Sequence, residues 1–142
     1  MTKFHLLTKA LPAASRQLAT AAVLIVADSI LDKDKIFNID LALSEACANV
    51  VRHAYQDRAP GELEIVVTLN PPRFIEIEVS DWGQGFGTWP VNVRNAAPHA
   101  EGGRGLFIMS ELTDIFDIRK ECEKNIIYMK IKVEEQLWTA SE

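Results

Sequence analysis

The strongest constraint in this chain is a pair of runs, Glu62 to Leu69 and Arg73 to Ser80, separated only by Asn70-Pro71-Pro72. In the first, Ile65, Val67 and Leu69 alternate with Glu64, Val66 and Thr68; in the second, Phe74, Ile75, Ile77 and Val79 interleave with Glu76 and Glu78. Successive side chains on a strand point to opposite faces, so this alternation predicts a hairpin with one apolar and one polar face. The apolar face must be covered.

The cover is legible upstream. From Ala13 to Leu31 the residues Leu18, Ala21, Ala22, Ile25, Val26 and Ser29 recur at helical spacing, and Asp32 to Lys35 reads as a charged break. A second helix, capped by Asn38 or Asp40, runs to about Tyr55, with Leu41, Leu43, Ala46, Cys47, Val50 and Ala54 on its buried side and Pro60-Gly61 marking the turn beyond. Downstream, Arg104 to Leu112 suits a third helix, while Ile115 to Arg119 and Ile126 to Val133 suit two strands flanking a turn at Glu121 to Asn125. The expected fold class is α+β, a two-layer sandwich of a mixed, largely antiparallel sheet with three helices on one face. With 142 residues, 48% of them apolar, residues 1–142 are expected to form one domain.

A net charge of −5, with 15 Lys and Arg scattered rather than gathered into a stripe, argues against direct nucleic-acid binding. Met1 to Ala10 lacks the apolar region of a signal peptide, and no run approaches the roughly 20 apolar residues of a membrane span. A soluble, cytoplasmic protein with no membrane partner is the expectation. Cys47 and Cys122 are far apart and outside any metal-ligand spacing, so both are expected to be buried, reduced thiols.

Three clusters carry polar chemistry. On the second helix, Glu45, Asn49, Arg52 and His53 include offsets of four and seven residues, which place a carboxylate, an amide and a guanidinium on one stripe. A solvated face accounts for such a stripe; so does a set comprising an oxygen ligand for magnesium, a proton acceptor and a phosphate-binding fork. Asp81-Trp82-Gly83-Gln84-Gly85-Phe86-Gly87 follows directly on the second strand of the hairpin. An aspartate there, with glycines two and four residues on, lets the backbone approach a flat ligand while the carboxylate accepts from an exocyclic amine. A plain glycine-rich turn has the same composition, and Thr88 breaks the dinucleotide fingerprint. Glu101-Gly102-Gly103-Arg104-Gly105-Leu106 opens the third predicted helix, whose free N–H groups and dipole can receive an anion. A hinge of glycines is the alternative. No G-K-[ST] occurs in the chain, which excludes P-loop kinases and GTPases.

In combination and order the clusters are far more specific than singly. Glu-x-x-x-Asn on a helix, then D-x-G-x-G after a strand, then a glycine-rich loop leading into G-x-G-L resembles the GHKL ATPases. More narrowly, Leu43 to Tyr55 with Asp81 to Phe86 and Glu101 to Met109 resembles the bacterial anti-sigma-factor serine/threonine kinases, over roughly Leu6 to Val133. Histidine kinases share the ATP site but carry a preceding dimerisation helix pair for which this chain has no room.

The resemblance implies ATP with Mg2+ as cofactors. Asn49 would coordinate the metal, Glu45 would be the general base, Asp81 would read the adenine amino group, and Gly83 and Gly85 would let the base pack. Arg52 would lie near the phosphates. Residues 87–102 become an ATP lid, with Gly103, Arg104, Gly105 and Leu106 closing on the phosphates. His53 has either a structural role beside Tyr55 or a ligand contact. Relatives often carry an aliphatic residue where Arg104 stands. The implied function is phosphorylation of a small antagonist protein of the anti-anti-sigma type and sequestration of a sigma factor, with a homodimer as the implied assembly. A nucleotide-dependent binding module of the same fold, without transfer chemistry, is the rival reading, and Glu45 decides between them.

Overall fold

The structure is a computed structural model, and it describes residues 1–84 and 103–139. Five strands and three helices follow in the order β1 (Thr2–Lys9), α1 (Pro12–Ser29), α2 (Lys33–Asn49), β2 (Glu62–Asn70), β3 (Phe74–Asp81), α3 (Gly103–Leu112), β4 (Ile115–Glu121) and β5 (Lys124–Lys132). The strands form one sheet in the order β1-β2-β3-β5-β4. All four pairings are antiparallel, so the described sheet has none of the mixed character expected for it. The α+β architecture is otherwise as expected.

The β2–β3 hairpin pairs Asn70 with Phe74 and Leu63 with Asp81. That register places Ile65 opposite Val79 and Val67 opposite Ile77, and β5 continues the same row with Ile127 and Met129. These side chains join Ala22 and Val26 of α1, Leu43 and Ala46 of α2, and Met109 of α3 in one core. Each large aliphatic residue fully buried there contributes roughly 1.5–3 kcal/mol. The opposite face of the sheet carries a polar network in which Lys124 pairs with Glu64 and the Tyr128 hydroxyl meets Glu76.

Strand β1 was not expected. Its residues are mostly exposed, and adjacent Leu6 and Leu7 blur the alternation that would announce a strand. It is held by main-chain pairing to β2, from Thr2 opposite Leu69 to Lys9 opposite Glu62. The start of α2 also differs from expectation. Asp32 is the N-cap, its Oδ1 accepting from the Asp34 and Lys35 N–H groups at 3.1 Å, so the charged segment begins the helix instead of interrupting it. Leu41, expected on the buried side, is exposed, because the core-facing stripe passes through Ile39, Ala42, Leu43 and Ala46. Cys47 is buried as expected. Cys122 is exposed, since it sits in the β4–β5 turn with φ 55°.

The end of α2 matters most for the site. After Asn49 the chain continues for Val50–Ala54 as a π-helical turn, with the Val50 N–H shared between the carbonyls of Ala46 and Cys47. Such wider turns often mark functional sites. Among the described residues, no helix is long and apolar enough to cross a membrane.

Candidate nucleotide site

Glu45 and Asn49 lie one turn apart on α2, and α3 starts directly against them. A Cβ added to Gly105 would lie 2.9 Å from Glu45 Oε2 and 3.7 Å from both Oδ1 and Nδ2 of Asn49. The absence of a side chain at Gly105 therefore leaves a cradle into which a carboxylate and an amide both face. Asn49 is only 5% exposed, and its Nδ2 is buried without a hydrogen-bond partner among the described residues. An unpaired amide at that depth costs free energy unless something else satisfies it. The two amide ends are distinguished only by their partners, so the carbonyl end is equally able to face the cradle. One hard oxygen donor on a helix beside a carboxylate suits Mg2+, which takes few protein ligands and completes its shell with water and phosphate oxygens. Among the described residues there is no cluster of three or more His, Cys, Asp or Glu that would hold a metal on its own.

The first turn of α3 contains Gly103, Arg104 and Gly105 and no acidic residue, so its N-terminal dipole faces the Glu45–Asn49 cradle without internal compensation. Leu106 and Met109 anchor this helix in the core. Leu106 is buried by its side chain, leaving only its backbone to meet a ligand.

Asp81 ends β3 and is 7% exposed. Its Oδ1 accepts from the Gly83 N–H at 2.8 Å and from Asn125 Nδ2 at 2.9 Å, and the same Nδ2 donates to the Gly83 carbonyl at 3.1 Å. Both bonds use one oxygen. Burial pushes the carboxyl above its ordinary pKa, with the bonds from Asn125 and Gly83 acting in the opposite direction. Asn125, 2% exposed and paired with Asp81 across β3 and β5, lies in β5 and not in the turn expected at Glu121 to Asn125. Only the strand register brings it there.

Gly83 and Gln84 dock on the π-helical turn. The Gln84 N–H donates to the Ala54 carbonyl at 2.8 Å, and Gln84 Nε2 donates to the His53 carbonyl and to Gln56 Oε1, each at 3.0 Å. His53 and Ala54 are the last residues of the helical segment, so their carbonyls have no intrahelical partner, and here they hold the loop that follows Asp81. The Tyr55 hydroxyl completes the link, accepting from the Trp82 N–H at 3.0 Å and donating to the Glu62 carbonyl at 2.6 Å. Nothing in the sequence pattern marks Tyr55 or Gln84 for these hydrogen bonds. The His53 ring has its Nε2 buried without a partner among the described residues, while its carbonyl serves the loop.

The structure thus brings together Glu45, Asn49 and Gly105, and ties Asp81 and Gly83 to the end of the same helix. Arg52 is exposed and lines a groove between α1 and α2. Gly85 and the proposed lid, 87–102, lie outside the described residues, and so does the Arg104 side chain.

The profile of the histidine kinase-like ATPase domain matches residues 8–131. The serine-protein kinase RsbW of Bacillus cereus is 32% identical over 112 residues, which span 73% of this chain and 69% of the relative. RsbW of Bacillus velezensis is 33% identical over 90 residues, 57% of this chain and 55% of the relative. Among solved structures, the RsbU and RsbW domains of a Mycobacterium tuberculosis protein superpose with a TM-score of 0.68 at 18% identity, covering 100% of this chain and 34% of that one. The histidine kinase domain of a blue-light-activated kinase from Erythrobacter litoralis gives a TM-score of 0.60 at 18% identity, over 85% of this chain and 60% of the other. The last two likenesses concern the fold.

Fold and site together define the class, a GHKL-type ATPase domain. The chain belongs to the histidine kinase-like ATPase family, in the group that holds the bacterial serine-protein kinases.

Proposed function

We propose that this protein binds ATP with magnesium and transfers the γ-phosphate to a serine or threonine of a small antagonist protein of the anti-anti-sigma type, and that it also sequesters a sigma factor. The observation that carries this reading is the meeting of Glu45, Asn49 and Gly105 at the start of α3. Phosphoryl transfer demands mainly positioning and charge stabilisation, and little covalent chemistry from the protein.

Asn49 would supply the metal ligand, and bound magnesium would neutralise charge on the phosphate oxygens. The backbone N–H groups at the head of α3 would receive the phosphates. Glu45, facing the same cradle, would take the proton of the attacking hydroxyl. Asp81 would accept from the adenine amino group, held in place by Asn125 and by the loop docked on Ala54. The names of the similar Bacillus proteins support the serine-directed form of the reaction.

The test is incubation of the purified protein with ATP, magnesium and a purified anti-anti-sigma-type domain from the same cell, followed by mass spectrometry of that domain. A single phosphoserine or phosphothreonine that depends on magnesium is the expected result. Nucleotide-dependent complex formation without any mass increase would favour the binding module.

A further inference from the structure

A cavity lies outside the nucleotide site. It occupies about 380 Å³ between α1 and α2. Ser44 and Ala48 line it, each one residue before Glu45 and Asn49. One residue is about 100° around a helix, so the groove and the nucleotide cradle occupy adjacent faces of α2.

The two ends of the groove differ in charge. The link between α1 and α2 spans only Ile30 to Asp32, which makes the helices antiparallel neighbours and sets the head of α1 beside the tail of α2. At this end stand Ser15 and Arg16 from α1 and Arg52 from the turn after α2. Asp40 lies at the other end, twelve residues before Arg52 and thus about 18 Å away along the helix.

Three observations at the basic end point to an anion. Among the described residues the head of α1 has no side-chain cap, and its first turn holds no acidic residue, so there the Ala13 and Ala14 N–H groups and the helix dipole are left uncompensated. Ser15 is 2% exposed, lines the cavity, and its hydroxyl has no partner among the described residues. Arg16 and Arg52 line the same end. Two backbone donors, a hydroxyl and two forks exceed what the two oxygens of a carboxylate can use, whereas the three oxygens and near-double charge of a phosphomonoester match them.

We propose that the basic end of the α1–α2 groove, formed by the head of α1 with Ser15, Arg16 and Arg52, is a binding site for a phosphate group, separate from the nucleotide site. The group is either free phosphate or a phosphoserine carried by a protein. The site goes beyond the kinase reading and does not depend on it.

Amide NMR of the nucleotide-free full chain tests it, with titrations of inorganic phosphate, a phosphoserine peptide and acetate at constant ionic strength. Saturable shifts are expected at Ala13, Ala14 and Ser15 with phosphate and with the peptide, and much weaker ones with acetate. Arg16→Gln removes a charged donor and should weaken phosphate binding about tenfold or more. Ser15→Ala, a better helix former, should keep the fold and also weaken binding. A peptide that binds tenfold more tightly than the free ion supports the site and assigns it to a protein-borne phosphoester; equal affinity supports it and assigns it to the ion. Shifts confined to Glu45, Asn49 and α3, equal affinity for acetate, or an unaltered affinity in Arg16→Gln would overturn the proposal.

Discussion

Gly83 lies so close to the Ala54 carbonyl that a Cβ on the glycine would collide with it, and also come within 2.8 Å of the Ala54 Cα. The loop after Asp81 and the end of α2 are thereby one unit, with Asp81 positioned from the helix that carries Glu45 and Asn49. The glycine in D-x-G is required by this contact before any ligand binds. Gly83→Ala is therefore predicted to lower stability by about 1–3 kcal/mol, the usual cost of overpacking against fixed backbone, and to weaken ATP binding as well. Denaturant melts without nucleotide check it. A mutant as stable as the wild type would show that Gly83 serves the ligand alone.

Tyr55 is predicted to be the strut of that unit. Tyr55→Phe keeps the ring against Gly61 but removes the acceptor for the Trp82 N–H and the donor to Glu62. A stability loss of about 0.5–1.5 kcal/mol per lost hydrogen bond is expected, with weaker ATP binding and an unchanged transfer rate at saturating ATP. Calorimetry and saturation kinetics separate the two effects. A fall in the saturated rate with unchanged affinity would contradict this role.

Asp81 should trade stability for recognition. Its pKa is raised in the folded state, chiefly by burial, so the native state holds the proton more firmly than the unfolded chain. The stabilisation from that proton is fully present below the unfolded pKa and is lost as pH rises through the folded value. At neutral pH the charged carboxylate is thus a net cost. Asp81→Asn is predicted to melt no lower than the wild type at pH 7 and to lose part of the pH dependence of stability on the acid side. Its Oδ1 can still serve Gly83 and Asn125, but an N–H group would then face the adenine amine, and ATP affinity should fall about tenfold or more. Lower stability with retained affinity would reverse both roles.

These relationships also explain what could and could not be read in advance. Glu45, Asn49 and Asp81 stand out in the sequence because helical spacing and a strand end set them apart, while the roles proposed for them come from the order of the clusters and the resemblance it carries. The β2–β3 hairpin was legible because Ile65 and Val67 alternate with polar neighbours. Strand β1 was not, since its exposed residues carry no clear period and main-chain pairing to β2 holds it. The roles of Asn125 and Tyr55 are not legible in the sequence, because their partners, Asp81 and Trp82, lie 44 and 27 residues away. The π-helical turn has no local signature, and the docking of Gln84 on the Ala54 carbonyl follows only from the fold.

The two cysteines should react very differently. Burial pushes the Cys47 thiol up to about 12, leaving almost no thiolate near pH 8, whereas Cys122 is exposed in a turn. Iodoacetamide under native conditions is predicted to alkylate Cys122 alone, with Cys47 modified only after unfolding; peptide mass spectrometry reads both. Equal labelling of the folded protein would mean that α2 opens far more readily than its packing implies.

Glu45 is proposed to act as a base and not merely as a polar neighbour of Gly105. Glu45→Gln keeps the size of the side chain and most of its hydrogen bonding while removing the group that accepts the proton. The decisive measurement is the single-turnover rate of phosphate transfer to the partner protein at saturating ATP and magnesium, with nucleotide affinity and melting temperature measured on the same sample. The account predicts little change in affinity or melting and a rate lower by about 10²–10⁴. Transfer at the wild-type rate would contradict it.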